Sequence, residues 1–244
     1  MLVNPLALSW GGTIVAGHAL LLMSGIVTFA LLRVLAPGWR VQHRTPRRGV
    51  VVHELVYATG TLAIGAAIGI TTVLLAQRGW IRFATGAVTP GRVAGEFLAY
   101  FVAFDAYFYV VHRLLHAPFP YRWVHAVHHR SQTPTPLTAF SFHPVEAIAT
   151  GAFLPLMLMA VSFHLTSVLV ISAYAGLSSV VVHLGHDPAP TWWYRRWPSQ
   201  WFVTPAYHDR HHASGGRWHF GGYTTIWDRI FGTDEPGFDG REVR

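Results

Sequence analysis

Residues 147–182 read AIATGAFLPLMLMAVSFHLTSVLVISAYAGLSSVVV, an apolar stretch without aspartate, glutamate, lysine or arginine. As one helix these 36 residues would be about 54 Å long, nearly twice the thickness of a hydrocarbon core of about 30 Å. The stretch therefore predicts a hairpin of two short membrane spans that turns near Ser162 to Thr166.

Three more apolar stretches precede this hairpin. Residues 12–36 and 51–77 are each long enough to cross a bilayer as a helix, and residues 95–116 form a third, more aromatic run. Across all 244 residues the chain is 52% hydrophobic and only 12% charged, which is too apolar for an ordinary soluble domain. We therefore predict an all-α integral membrane bundle of four to five spans.

The chain contains no cysteine. This excludes disulfides, thiolate zinc sites and cysteine-ligated iron–sulfur clusters, so a metal ion would need histidine with aspartate, glutamate or water. Residues 1–10 lack the cationic start of a cleavable signal peptide, and we expect the first span to be retained.

Arginine supplies the whole net charge of +7. Its first cluster lies in the short loop after the first span and comprises Arg40, Arg44, Arg47 and Arg48. The positive-inside rule predicts that this loop is cytoplasmic and that the N-terminus is outside. Residues 117–146 and 187–244 then form a cytoplasmic, histidine-rich helical cap. The basic charge is explained by topology and by contact with membrane lipids, and we predict no nucleic acid partner.

Ten of the 16 histidines form four groups that read HRLLH, HAVHH, HLGH and HDRHH. In HxxHH the first imidazole shares a helix face with each of the other two, which follow three and four residues later. The two adjacent imidazoles diverge by about 100°, so one triplet can serve two metal ions. Ten nitrogen donors exceed the three or four that a mononuclear zinc site takes. The sequence therefore predicts two metal ions held by His112, His116, His125, His128, His129, His183, His186, His208, His211 and His212.

Five histidines outside the four groups are not expected to bind metal. His18, His53 and His164 lie alone on apolar runs and are predicted to be packed or interfacial. His143 and His219 are also left outside the predicted ligand set.

Carboxylates near these histidines matter because a ligand histidine usually donates its other N–H to one. Asp105 lies two helical turns before His112 and is expected to accept from His112 or His116, or to pair with an arginine. Glu146 is expected to orient a triplet histidine or to cap the hairpin helix. Asp187 is a candidate orienting residue or direct ligand, whereas Asp209 is expected to be exposed.

Imidazole suits zinc, copper, iron and nickel, so the ligand type alone does not select the metal. Reaction at an unactivated C–H bond of a lipid requires a redox metal and dioxygen, and this favours two iron ions, with zinc as a substitute. A zinc hydrolase should contain a sequence such as HExxH, which is absent. A divalent-metal transporter would place its ligands near mid-membrane, and a bis-histidine haem carrier would not need triplets.

Several ordered motifs between Asp105 and Thr233 carry a family resemblance. They are DAYFYVVHRLLH, WVHAVHH, SFHPVE, HLGHDPAP, TPAYHDRHH and GGYTTIWDRIFGT. Together they make the chain resemble the fatty acid hydroxylase superfamily, which includes sterol desaturases, sterol methyl oxidases and carotenoid hydroxylases. The first 90 residues match only as generic membrane spans.

This resemblance implies a membrane hydroxylase with a cytosolic di-iron centre that uses dioxygen and two external electrons. The implied catalytic histidines are His112, His116, His125, His128, His129, His208, His211 and His212. His183 matches the family's intermediate histidine, and His186 stands where other members have an aromatic residue.

The implied substrate is a fatty acyl, sterol or isoprenoid lipid, and a ferredoxin, cytochrome or reductase is expected to donate the electrons. Lipid desaturation at the same site is the alternative reaction. We predict one domain over 1–244, with anchor spans at 1–93, a catalytic region at 94–233 and a tail at 234–244.

Overall fold

The structure is a computed structural model that describes residues 5–44 and 47–240. The N-terminal residues whose outside location was predicted, and the end of the predicted tail, lie outside these ranges. Within them the regular secondary structure is helical, apart from two isolated β-bridges. The principal helices are α1 Pro5–Leu35, α2 Val50–Gln77, α3 Pro90–Leu115, α4 Pro144–Gly151, α5 Phe153–Ala160, α6 Leu165–Val182 and α7 Pro205–Ala213.

Four of these helices are long and apolar enough to cross a membrane, over Gly12–Leu35, Val50–Gln77, Pro90–Leu115 and Leu165–Val182. Only 6% of the apolar window is buried in each of the first two, 17% in the third and 22% in the fourth. Apolar helices that pack so little of their surface against the protein need a lipid solvent. The predicted all-α, integral membrane bundle is confirmed.

The predicted break in the apolar stretch is confirmed, but only its second arm, α6, is long enough to span a membrane, whereas the first arm consists of the two short helices α4 and α5. The apolar stretch breaks between α5 and α6, within the predicted turn, and the His164 ring nitrogen accepts from the Thr166 backbone N–H at 3.1 Å. The Glu96 carboxylate on α3 accepts from the His164 N–H at 2.9 Å. These bonds satisfy N–H groups that the first turn of α6 would otherwise leave without partners.

Two of the histidine groups are set by how their helices begin and end. α3 begins after the Thr89 cap with Pro90 at its first position, and its last turn contains HRLLH before the chain turns at Pro118. α7 likewise begins after a Thr204 cap with Pro205 at its first position, and it consists mainly of HDRHH. Proline is tolerated at the first helical position because the N–H that it lacks would have no intrahelical acceptor there.

The arginine-rich loop after α1 packs against the HLGH segment. The Trp39 carbonyl accepts from the Asp187 N–H at 2.7 Å, and the Val41 N–H donates to the Gly185 carbonyl at 3.1 Å. This loop and the segment that follows α6 are therefore at one end of the bundle.

Candidate metal centre

Nine of the ten predicted histidines converge into two groups of nitrogen donors. Within each group the candidate ligand atoms lie within 4.8 Å of one another. The five-histidine group contains His112, His116, His125, His129 and His211. The four-histidine group contains His128, His183, His208 and His212.

The spacing of the Nε2 atoms fits metal ligation. In the five-histidine group, Nε2 of His112 lies 3.1 Å from that of His125, and Nε2 of His211 lies 3.0 Å from that of His129. In the four-histidine group, Nε2 of His208 lies 3.0 Å from that of His183. Two nitrogens bound at about 2.1 Å to one ion and about 90° apart are separated by about 3.0 Å. The donor sets therefore fit two metal ions.

Backbone carbonyls orient two rings of the five-histidine group. His112 Nδ1 donates to the Phe220 carbonyl at 2.8 Å, and His211 Nδ1 donates to the Trp218 carbonyl at 2.7 Å. A proton held on Nδ1 leaves the Nε2 lone pair free for a metal ion. The segment 218–220 therefore sets the tautomer of two rings that come from different helices.

The four-histidine group is oriented in the same way by other carbonyls. His183 Nδ1 donates to the Ser179 carbonyl at 2.6 Å, one turn earlier, and His128 Nδ1 donates to the Ser141 carbonyl at 3.3 Å. Both rings thus present Nε2 toward His208 and His212.

Burial keeps these imidazoles neutral. Desolvation, followed by the repulsion of neighbouring imidazoles, lowers the pKa of the cap histidines well below 6.5, as seen for His125, His128, His129, His208 and His212. A neutral ring is the form that binds a metal ion. His116 is the only one of the nine histidines that is half-buried, and the other eight are buried.

Glu146 lies beside a triplet histidine, as its predicted role in orienting one requires. Its Oε1 is 2.8 Å from His125 Nδ1, and both side chains are almost fully buried. This separation is within hydrogen-bond distance, although the approach is poorly aligned for a hydrogen bond. Glu146 lies in the first turn of α4, and this position places its side chain beside the triplet histidine His125.

Asp105 does not contact His112 or His116, and that expectation is corrected. Its carboxylate accepts from the Tyr223 and Thr224 backbone N–H groups at 2.9 and 3.0 Å and from Trp227 Nε1 at 3.1 Å. Seven residues of helix separate Asp105 from His112 by about 10 Å, which is too far for a hydrogen bond. Asp105 acts at a distance, because it fixes the C-terminal segment that supplies the Phe220 carbonyl.

His186 and Asp187 lie outside both groups, and their predicted roles as ligands are corrected. Gly185, with a φ of +62°, turns the chain after α6, and the His186 ring packs 5.8 Å from the Phe29 ring on α1. Asp187 accepts from the Ala206 N–H at 2.9 Å and from the Tyr194 hydroxyl at 2.7 Å. Asp187 therefore fixes the start of α7, the helix that bears HDRHH.

The expectation that Asp209 is exposed is wrong. Asp209 is 4% exposed and accepts from Gln42 Nε2 at 3.0 Å and from Arg44 Nη2 at 2.6 Å. Gln42 Nε2 also donates to the Pro134 carbonyl at 2.8 Å, and a methyl group on Gly185 would overlap the Gln42 side chain. Gln42 thus contacts three segments, namely the one that follows HAVHH, the HLGH segment and the HDRHH segment.

Sequence reasoning missed Gln42 and assigned Arg44 to topology alone. The signal available was the cationic loop itself, next to an aspartate inside a histidine triplet. Nothing in the linear sequence shows that this loop returns to the histidines.

The histidines predicted not to bind metal take other roles. His143 caps α4 by accepting from the Val145 N–H at 3.2 Å, and His53 lies with Nε2 3.0 Å from the Val127 carbonyl. His219 stacks on Tyr207 with 3.7 Å between ring centroids. Burial lowers the His219 pKa to about 4.

An all-helical membrane bundle with two adjoining clusters of imidazoles at one end defines a class of histidine-rich membrane proteins. The chain belongs to the fatty acid hydroxylase family, whose model matches residues 97–233. The match includes every histidine of both groups. No solved structure matches the chain.

Several relatives are similar to part of the chain. The chain is 29% identical to a Δ7-sterol 5(6)-desaturase of Leptosphaeria maculans over 56% of its length, and 34% identical to methylsterol monooxygenase 1 of Rattus norvegicus over 53%. These alignments cover 36% and 43% of the relatives' own lengths. A very-long-chain aldehyde decarbonylase of Oryza sativa is 31% identical, with 62% of each chain covered.

Proposed function

We propose that the chain is an oxygen-dependent di-iron membrane oxygenase. It hydroxylates an unactivated C–H bond of a lipid-like substrate, which is a fatty acyl, sterol or isoprenoid compound. The ligands are the nine histidines of the two groups.

The division of adjacent histidines between the groups is the observation that carries this proposal. His128 belongs to the four-histidine group and His129 to the five-histidine group, and His212 and His211 are divided in the same way. Adjacent helical residues diverge by about 100°, so each triplet reaches both groups. The His129 and His212 rings, one from each group, stack with 4.7 Å between centroids. Two metal ions bound here would be close enough to act on one oxygen molecule.

When bound, the two ions would supply the redox chemistry that activates dioxygen. The chain's own residues hold the imidazoles neutral, fix their tautomers and exclude water from all but the His116 side of the clusters. Exclusion of water protects a reactive oxidant from side reactions.

Hydroxylation consumes one substrate, one dioxygen, two electrons and two protons, and yields one alcohol and one water. The substrate C–H bond is oxidised, and the second oxygen atom leaves as water. Desaturation by the same site consumes the same inputs and yields an alkene and two waters. The alignment with a sterol desaturase makes desaturation the second candidate.

The names of the relatives support a lipid substrate, since they refer to sterols and to a very-long-chain aldehyde. The two electrons must come from an external carrier such as a ferredoxin, a cytochrome or a reductase. We assign the histidine end of the bundle to the cytoplasm, because the cationic loop that packs on HLGH is on the same end.

A divalent-metal transporter is disfavoured by the location of the ligands. His112 lies in the last turn of α3, and His183 follows the last residue of α6. The other ligands belong to the segments outside the spans, whereas transporter sites lie near mid-membrane between broken helices.

Oxygen uptake by protein in nanodiscs tests the proposal. The protein is loaded with ferrous iron and supplied with a chemical reductant and a panel of fatty acyl, sterol and isoprenoid lipids. We expect oxygen consumption coupled to a product that has gained one oxygen atom or lost two hydrogen atoms. Protein that binds two irons yet consumes no oxygen with any lipid of the panel would contradict the proposal.

A further inference from the structure

We propose that the surface around His116 is the docking site for an acidic electron-donor protein. We name this surface the arginine face and define it by the exposed side chains Arg113, Arg122 and Arg217, with the segment 217–220 between them. The inference rests on the proposed oxygenase function, since that function requires an external donor.

The arginine face lies over the one point at which a metal group approaches the surface. His116 is half-buried, whereas every other histidine of the two groups is buried. Its ring lies 5.3 Å from the Tyr121 ring and 5.0 Å from the Phe220 ring. Gly216 packs against the same ring so closely that a methyl group there would overlap it.

Each arginine of this face is next to a residue that contacts His116. Arg122 follows Tyr121, Arg217 follows Gly216, and the Arg113 guanidinium lies 4.7 Å from the centre of the Phe220 ring. The three exposed cations therefore belong to positions that adjoin the accessible edge of the five-histidine group.

The segment 217–220 also connects this surface to the buried ligands. Its Trp218 carbonyl accepts from His211 Nδ1, and its Phe220 carbonyl accepts from His112 Nδ1. A donor seated on the segment is therefore one hydrogen bond from two ligand imidazoles. The described carbonyl anchors of the four-histidine group lie elsewhere, at Ser179 within α6 and at the buried Ser141.

The charge of the described surface specifies an acidic partner. Among residues 5–44 and 47–240 no aspartate or glutamate is exposed. The half-buried acids of the cap are near arginines, namely Asp234 near Arg229, Glu235 with Arg210 and Asp239 near Arg195. A partner with exposed carboxylates meets cations without like-charge repulsion, which speeds encounter and fixes orientation.

The test measures binding of a soluble acidic [2Fe–2S] ferredoxin to the full chain in phosphatidylcholine nanodiscs at low ionic strength. Arg122→Glu with Arg217→Glu should weaken binding about tenfold or more, and added salt should weaken the parent complex more steeply than the variant complex. Arg122→Lys with Arg217→Lys keeps the charge and should stay within about threefold of the parent.

The matched control is Arg195→Glu with Arg196→Glu, which makes the same charge change on exposed arginines elsewhere in the cap. It should weaken binding by less than about threefold. Three results would overturn the proposal. They are an equal loss of affinity in both double glutamate variants, an unchanged affinity in the Arg122 and Arg217 variant, and no binding of ferredoxin by the parent.

Hydrogen exchange in the parent protein gives a readout that needs no variant. Ferredoxin should protect amides in 116–123 and 214–220, and protection confined to 191–201 would contradict the proposal. A second set of nanodiscs contains phosphatidylserine as well. If the variant with Arg122→Glu and Arg217→Glu binds less phosphatidylserine than the parent while its ferredoxin affinity is unchanged, this face is a lipid site instead. None of these readouts needs turnover, so the oxygenase proposal can fail independently.

Discussion

The two histidine groups differ in their exposure and in the part of the chain that holds their ligands in place. The five-histidine group draws its anchors from the C-terminal segment, through Phe220 and Trp218, and reaches the surface at His116. The four-histidine group is buried throughout, and Gln42 and Arg44 brace the segments that carry it.

The difference shows that some residues that brace the site lie outside the region matched by the family model. The matched region begins at residue 97, so both Gln42 and Arg44 lie outside it. The loop after α1 thus braces segments that carry ligands, although its arginines were interpreted from the sequence as a topology signal. A buried site can depend on side chains far away in sequence because their hydrogen bonds cost free energy when one partner is removed.

Removing one ligand from each group should have the largest effect and the clearest asymmetry. His212→Ala leaves three nitrogens in the four-histidine group, and His116→Ala leaves four in the other. We expect His212→Ala to lower bound iron from about two ions per chain to about one and to lower lipid oxidation more than about 100-fold. His116→Ala should retain most of its iron. Metal analysis of purified protein would contradict the comparison if both variants lost the same amount.

Asp209→Ala should have an intermediate effect that reaches both groups, because α7 carries ligands of each. It leaves the buried Gln42 amide without one acceptor and the partly exposed Arg44 guanidinium without its carboxylate. We expect the free energy of unfolding in detergent to fall by about 2 kcal/mol and the purified variant to hold less iron than the parent.

Asp239→Ala is the control for Asp209→Ala. Its partner Arg195 has a side chain that is 67% exposed and lies 3.6 Å away, so the change should cost less than about 0.5 kcal/mol. If the two aspartate variants unfold alike, the loop after α1 does not brace the site.

Two neighbouring glycines give the smallest and most local test. Gly215 and Gly216 both have positive φ, at +66° and +74°, so an alanine at either costs about 1 kcal/mol of backbone strain. Only at Gly216 would the methyl group overlap the His116 ring, whereas Gly215 has open space. Gly216→Ala should weaken iron binding by the five-histidine group about tenfold, and Gly215→Ala should leave it unchanged. Equal iron affinities would show that His116 moves aside freely.

Local patterns predicted much of the architecture. The four apolar spans, the hairpin turn near His164 and the shared face of HRLLH follow from helix length and from the 3.6-residue period, which neighbours along the chain determine. The same period predicted that each HxxHH triplet would serve two sites, and the structure divides the adjacent histidines of both triplets between the two groups.

Contacts between distant segments could not be predicted in this way. Asp105 was expected to orient a histidine on its own helix, but backbone N–H groups of Tyr223 and Thr224 reach its carboxylate. His186 is close in sequence to His183, yet the turn at Gly185 directs it toward α1.

The sequence by itself determined the membrane-spanning helices, the histidine clusters and the family, because these depend on composition and on spacing within one helix. Tertiary structure alone decided which carbonyl or carboxylate orients each ring, which histidine stays outside and which edge reaches the surface. The physical reason is that a hydrogen bond depends on distances of about 3 Å between atoms. Only the packing of helices and loops from distant parts of the chain sets those distances.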